Sequence, residues 1–150
     1  MAPITAQIEP DFGPALKGEM TTSVMDLNGM VSNILDSSLD NRIDVDWKIW
    51  GVMAVGGIPA GDTYTVKAYF EALELLGNDY EFDTLPAGPT LINTGVLAGT
   101  TRTFGTLHIP LAAGDVVAGL YGLTVVLTHQ PAAGAPYIFG FVDCGKVQFF

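Results

Sequence analysis

Residues 111–127 read Leu111-Ala-Ala-Gly-Asp-Val-Val-Ala-Gly-Leu-Tyr121-Gly-Leu-Thr-Val-Val-Leu127. A polar turn at 113–115 leads to Tyr121, after which the apolar Leu123, Val125 and Leu127 alternate with other residues. Alternation with period two marks a strand that buries one face and solvates the other. The stretch carries no nucleophile, metal-ligand or phosphate-binding motif. It decides the fold and names no chemistry.

The same rhythm recurs outward from it. Ile43, Val45, Trp47 and Ile49 face one way while Asp44, Asp46 and Lys48 face the other, and Trp50 then places a large ring on the polar side. Tyr64, Val66, Ala68 and Phe70 alternate with Thr65, Lys67, Tyr69 and Glu71. That segment has a rival helical reading, through Val66, Tyr69, Phe70, Leu73 and Leu76 with Gly77-Asn78 as a cap. Thr63, Tyr64, Thr65 and Val66 are poor helix formers and good strand formers, which selects the strand. Residues 102–111 give another strand, with Leu107, Ile109 and Leu111 inward. Residues 85–100, rich in Pro, Gly and Thr, read as a loop around a short strand at 91–96. After a turn at 130–136 the chain returns through 137–150, where Gly145 marks a bulge or tight turn.

Residues 24–35 carry two signals. Val24, Leu27, Val31, Ile34 and Leu35 fit a helical stripe, whereas Asn28-Gly29 between apolar runs is a hairpin signal. A mid-helix glycine costs about 1 kcal/mol relative to alanine, which favours the hairpin. Residues 1–22, with three prolines and two glycines, read as an extended arm ahead of a domain at 23–150. Seven to nine strands at regular spacing predict an all-β, antiparallel β-sandwich.

Tyr121 at the start of its strand, behind a polar corner, resembles the tyrosine corner of immunoglobulin-like and fibronectin type III-like domains. The resemblance covers residues 43–150 in strand rhythm, and Tyr121 alone maps onto a family motif. It implies a hydroxyl bonded back to the upstream corner. Leu123 stands where an antibody domain has its second cysteine, so the inter-sheet disulfide is absent. Trp47 lies on the first well-patterned strand and reads as a structural core residue. Such sandwiches host many functions, so the resemblance implies none.

Composition narrows the function classes. Sixteen acidic residues against six basic ones give a net charge of −10. Such a surface repels phosphate backbones and anionic lipid, so neither nucleic acid nor membrane is an expected partner. Mean hydropathy is +0.37, yet no run reaches the ~18 apolar residues of a membrane helix. The apolar surplus belongs in a core or an interface. The N-terminus lacks a basic and then apolar leader, and Cys144 is the only cysteine, so a cytoplasmic location is expected, with leaderless export left open.

Candidate chemistry is sparse. Four serines stand at 23, 32, 37 and 38, none in a nucleophile elbow. Cys144 lies among apolar strand residues and reads as a buried thiol. His108 and His129 read as solvated strand residues. Asp44, Asp46 and Glu71 are the carboxylates available for acid–base work, but a half-exposed strand presents such pairs without catalysis; the expectation is that the protein is no enzyme. Asn78, Asp79, Glu81 and Asp83 place oxygens at alternating positions and form the candidate calcium site, although six to eight ligands are needed; no other cofactor is expected. Trp50 and Tyr69 are candidate ligand-binding aromatics, and Phe149 and Phe150 candidate interface residues. The expected function is self-assembly or protein–protein interaction, with a homo-oligomer or a protein partner. A carbohydrate- or calcium-binding module is the alternative.

Overall fold

A computed structural model describes residues 2–8 and 13–150. Among these are twelve strands, the long ones alternating in burial as the sequence alternates in polarity. They are β1 (Ile4–Ile8), β2 (Lys17–Met25), β3 (Ile34–Leu35), β4 (Asn41–Trp50), β5 (Thr63–Ala72), β6 (Tyr80–Asp83), β7 (Thr90–Leu91), β8 (Val96–Ala98), β9 (Thr101–Thr103), β10 (Leu107–Leu111), β11 (Gly119–Gln130) and β12 (Phe139–Phe149). A one-turn helix, α1 (Val52–Gly56), and a 3-10 turn at Ile92–Thr94 interrupt them. The strands form two six-stranded sheets and no closed barrel.

Sheet one runs β1-β2-β4-β9-β8, with β10 continuing the line of β9 along β4. Sheet two runs β3-β12-β11-β5-β6, with β7 also on β5. All pairings are antiparallel except β12 with β3. The protein is an all-β sandwich, as the strand rhythm predicts.

The inward residues of β4, β5 and β11 make one core. Trp47 stacks on Phe104 at a centroid distance of 3.7 Å and meets Tyr64 edge-on at 4.6 Å. Burying each large apolar side chain contributes roughly 1.5–3 kcal/mol. Tyr121 forms the corner: it is buried, and its hydroxyl donates to the Val117 carbonyl at 2.9 Å. Gly145, at φ +71°, lies where β12 skips a residue against β11. That bulge moves the inward set from Val142 and Cys144 to Val147 and Phe149.

Several expectations change. Residues 4–8 and 17–25 are strands of sheet one, and the boundary drawn between 22 and 23 falls inside β2. Pro3 and Pro14 lie outside those strands, which lets both join the ladder, and the part of the expected arm at 9–12 lies outside the described residues. Residues 24–35 reverse direction at 27–29, with Met25 bridged to Val31, but the chain then crosses to sheet two as β3. The strand read at 91–96 is two short strands around a 3-10 turn that buries Ile92. The strand read at 102–111 breaks at 104–106, where Phe104 turns into the core. No helix among the described residues is long and apolar enough to cross a membrane.

Candidate functional site

The residues singled out by sequence do not gather in one place. Trp50 ends β4 in sheet one, with the Lys48 ammonium 5.9 Å from its ring centroid. Tyr69 sits outward on β5 in sheet two and is half-exposed. A single ligand cannot touch both aromatics. Asp44 and Asp46 face outward from sheet one and Glu71 from sheet two. Asp44 is held by Arg42 at 2.9 Å and His108 at 2.7 Å, and Asp46 by Thr106 at 2.5 Å. Phe149 is buried among Phe70 and Tyr121, which corrects its reading as an interface residue: the Gly145 bulge turns it inward. Phe150 is exposed.

The proposed calcium ligands are engaged elsewhere. Asp79 accepts the Ala72 amide at 2.9 Å. Glu81 and Asp83 flank the Lys67 ammonium at 2.7 and 3.6 Å, and that pairing holds Lys67 above its ordinary pKa. Among the described residues no three His, Cys, Asp or Glu side chains converge to hold a metal. Cys144 is buried, and burial followed by the nearby Asp143 pushes its thiol up to about 12. It is not a thiolate at neutral pH.

Two buried charged residues do organise a site. Asp62, at the close of the loop before β5, is completely enclosed together with His129 at the end of β11. The His129 Nδ1 accepts the backbone N–H of Tyr137 at 3.2 Å. The proton therefore resides on Nε2, which donates to Asp62 Oδ2 at 2.8 Å. The Tyr137 hydroxyl donates to the same oxygen at 3.3 Å, and the Ala132 amide to Oδ1 at 2.9 Å. Burial and then the Asp62 charge push the Tyr137 phenol up to about 12. The Asp62 backbone adds bonds to Pro59 and Ile92. This corrects the solvated reading of His129. With both side chains sealed, no substrate atom can reach the imidazole in this geometry. The cluster ties three loops into one body.

Arg102 does the same for the adjoining segments. Its Nε donates to the Ala54 carbonyl at 3.1 Å, and its Nη1 to Asn93 and Gly95 at 3.1 and 2.8 Å. Among the described residues no carboxylate pairs with it, and three backbone carbonyls solvate its Nε and Nη1. Gly51, at φ +115°, makes the turn from β4 into α1 and donates to Thr100.

The segments so joined contain no charge. Residues 49–61, 84–101 and 130–142 lack any Asp, Glu, Lys, Arg or His. They meet at the end of the sandwich where β4 finishes and β5 begins. That pole displays Val52 (72% exposed), Val55, Leu91, Val96 (72%) and Leu97, with Phe139 and Phe141 continuing onto sheet two. The opposite pole, built from 26–40, 73–79 and 112–118, carries Asp26, Asp36, Asp40, Glu74, Asp79 and Asp115 and no basic residue. The signal for the buried hubs is present in parity. His129 follows Tyr121, Leu123, Val125 and Leu127 at period two, and Asp62 precedes Tyr64, Val66 and Ala68 in the same phase.

A shallow cleft of about 280 Å³ lies on the outer face of sheet one beside the break between β9 and β10. The Glu19–Lys48 ion pair (3.0 Å) and Asp46 border it. Compared with known protein families and with curated proteins, the sequence matches none.

Proposed function

We propose that this chain is an immunoglobulin-like β-sandwich that acts by self-assembly or protein–protein interaction and performs no catalysis. The tyrosine corner supports the immunoglobulin-like type. The observation that carries the function is the exposed apolar surface of three loop segments that hold no charged residue. A chain with net charge −10 keeps three loop segments free of charge, fixes them with buried Asp62 and Arg102, and leaves apolar side chains on their surface. Exposed apolar patches of this kind mark contact surfaces, and fixed loops bind with little ordering entropy. A carbohydrate- or calcium-binding module is the weaker reading, because Trp50 and Tyr69 lie on different sheets and Glu81 and Asp83 are engaged by Lys67.

Sedimentation velocity at low and high salt tests the reading. Salt screens charge beyond roughly 8 Å at physiological strength, so association driven by apolar contact strengthens as salt rises. A monomer at both salts over a wide concentration range refutes self-association.

A further inference from the structure

We infer that the acidic pole docks a partner protein through a cationic segment that also carries large apolar side chains. This goes beyond the reading above: it concerns the other end of the sandwich and a different molecule, and it is independent of self-association. The surface is apolar and negative at once. The loop between β5 and β6 holds Leu75 and Leu76 in water, 99% and 94% exposed. Leu76 and the exposed Val117 line a cleft of about 150 Å³ together with Glu74, Leu120 and Tyr121. The Tyr121 hydroxyl bonds the Val117 carbonyl, which ties that wall to the sheet. Leucines left in water beside a cleft gain apolar burial only when a partner covers them.

Charge decides what covers them. Glu74 stands in the cleft wall. Asp79 accepts the Ala72 amide beside it, and Asp115, two residues before Val117, accepts that of Ala112, both at 2.9 Å. Each aspartate spends one oxygen on these bonds, and the other has no protein partner among the described residues. The carboxylates are thus fixed in place ahead of any partner. Two cations stand near this end, but Arg42 pairs with Asp44, and Lys146 faces Glu71 across Gly122 on sheet two. A partner without cations would strip water from the carboxylates and leave them unpaired. A second copy does not supply the match. Of its six basic residues, Arg42, Lys48 and Lys67 are in ion pairs, Arg102 is buried, and Lys17 and Lys146 lie on different sheets.

Fluorescence anisotropy on the full chain tests this, with a dye-labelled synthetic peptide of leucine and lysine in amphipathic order. An all-lysine peptide of equal length is the charge-only probe. Leu76→Ser and Glu74→Gln strike the site; both side chains are exposed, so the fold tolerates the changes. Val52→Ser and Asp83→Asn make matched changes elsewhere. The expected result is saturable one-to-one binding that weakens at least ~10-fold in Leu76→Ser, several-fold in Glu74→Gln, and not at all in the two controls. The all-lysine peptide should bind more weakly. Equal binding to all four variants would be general attraction to a chain of charge −10 and overturns the site, as does the absence of saturable binding. Binding that responds to Leu76→Ser but not to Glu74→Gln overturns the cationic occupant. Self-association lost in Leu76→Ser, measured by sedimentation, assigns the surface to a second copy and overturns the inference. Intact self-association with no peptide binding overturns it alone and leaves the reading above standing.

Discussion

The two ends of this sandwich solve the same problem by opposite means. Both consist of irregular loops whose backbone N–H groups need acceptors. At the acidic pole the acceptors are carboxylates near the surface. Asp26 takes the amides of Asn28 and Met30, Asp36 that of Ser38, Asp40 that of Ala113, and Asp115 that of Ala112. At the other pole Asp62 and His129, deep inside, accept the amides of Ala132 and Tyr137, while Arg102 donates to loop carbonyls. The first solution leaves a hydrated, negative rim. The second costs more desolvation, but it leaves the segments 49–61, 84–101 and 130–142 without a charged residue. Acidity in this chain is thus partly turn chemistry, and its absence from three loop segments is the informative feature.

The comparison predicts unequal sensitivity to mutation. Asp62→Ala should produce the largest loss, about 3–5 kcal/mol, because it strands His129 Nε2 and the Ala132 amide in a sealed site and frees three loops at once. Urea denaturation measures it. A loss no larger than that of a surface aspartate would place Asp62 in solvent contact and erase the distinction between the poles.

The response to pH separates the ends in direction. Tyr137 holds its proton to about 12 when folded, against an ordinary 10.0 for the phenol, and Cys144 to about 12 against 9.0 for the thiol. The folded state then binds more protons than the unfolded state between those values, so stability falls as pH rises through that window. Asp36 behaves in the reverse sense. The Ser38 hydroxyl and amide lower its pKa, so its contribution is present above the ordinary carboxylate range and lost as pH falls through it. Alkaline titration should therefore loosen the loops that Tyr137 and Asp62 hold. Phenol absorbance of the native chain compared with Tyr137→Phe tests this: the substitution should remove the latest-titrating tyrosine. A Tyr137 that ionises with the exposed tyrosines would break the assignment.

Much of the fold is legible because period-two patterning survives in the sequence. β4, β5 and β11 lie where their alternation puts them, and the Tyr121 corner bonds as the resemblance implies. What escapes is long-range or polar. Asp62 and His129 are 67 residues apart, and each belongs to a residue type normally found in water, so composition outweighs parity. Arg102 is masked by its type in the same way, although it shares its phase with the buried Phe104. Short elements such as β7, β8 and the 3-10 turn at Ile92–Thr94 exist through tertiary contacts and have too few residues to set a period. The bulge at Gly145 reverses parity, and the reversal sends Phe149 into the core.

Tyr121 sharpens the comparison from the acidic side. Its hydroxyl bond to Val117 pins the corner at 112–118 to the body of the sheet, so at this point the acidic pole too depends on a largely buried polar contact. Tyr121→Phe should cost about 1–1.5 kcal/mol, the net worth of one such bond, without altering the edge-on packing against Phe70 and Phe149. An unchanged denaturation midpoint would show that the corner stands without it.

The smallest effect should come from the capping aspartates. Asp26→Ala removes two acceptor contacts, yet the amides of Asn28 and Met30 lie at the surface and regain water. Loss of an exposed turn bond costs under about 1 kcal/mol for this reason. The local reversal also keeps the backbone bonds between Asp26 and Met30 and between Gly29 and Asp26, and Gly29 still supplies φ +75° at the turn. Amide hydrogen exchange should then quicken at residues 28–30 alone, with the core of β4 and β11 unaffected. If Asp26→Ala instead destabilised the protein as much as Asp62→Ala, the surface carboxylates would be structural hubs as well. The contrast between a hydrated pole and a buried one would then have no energetic content.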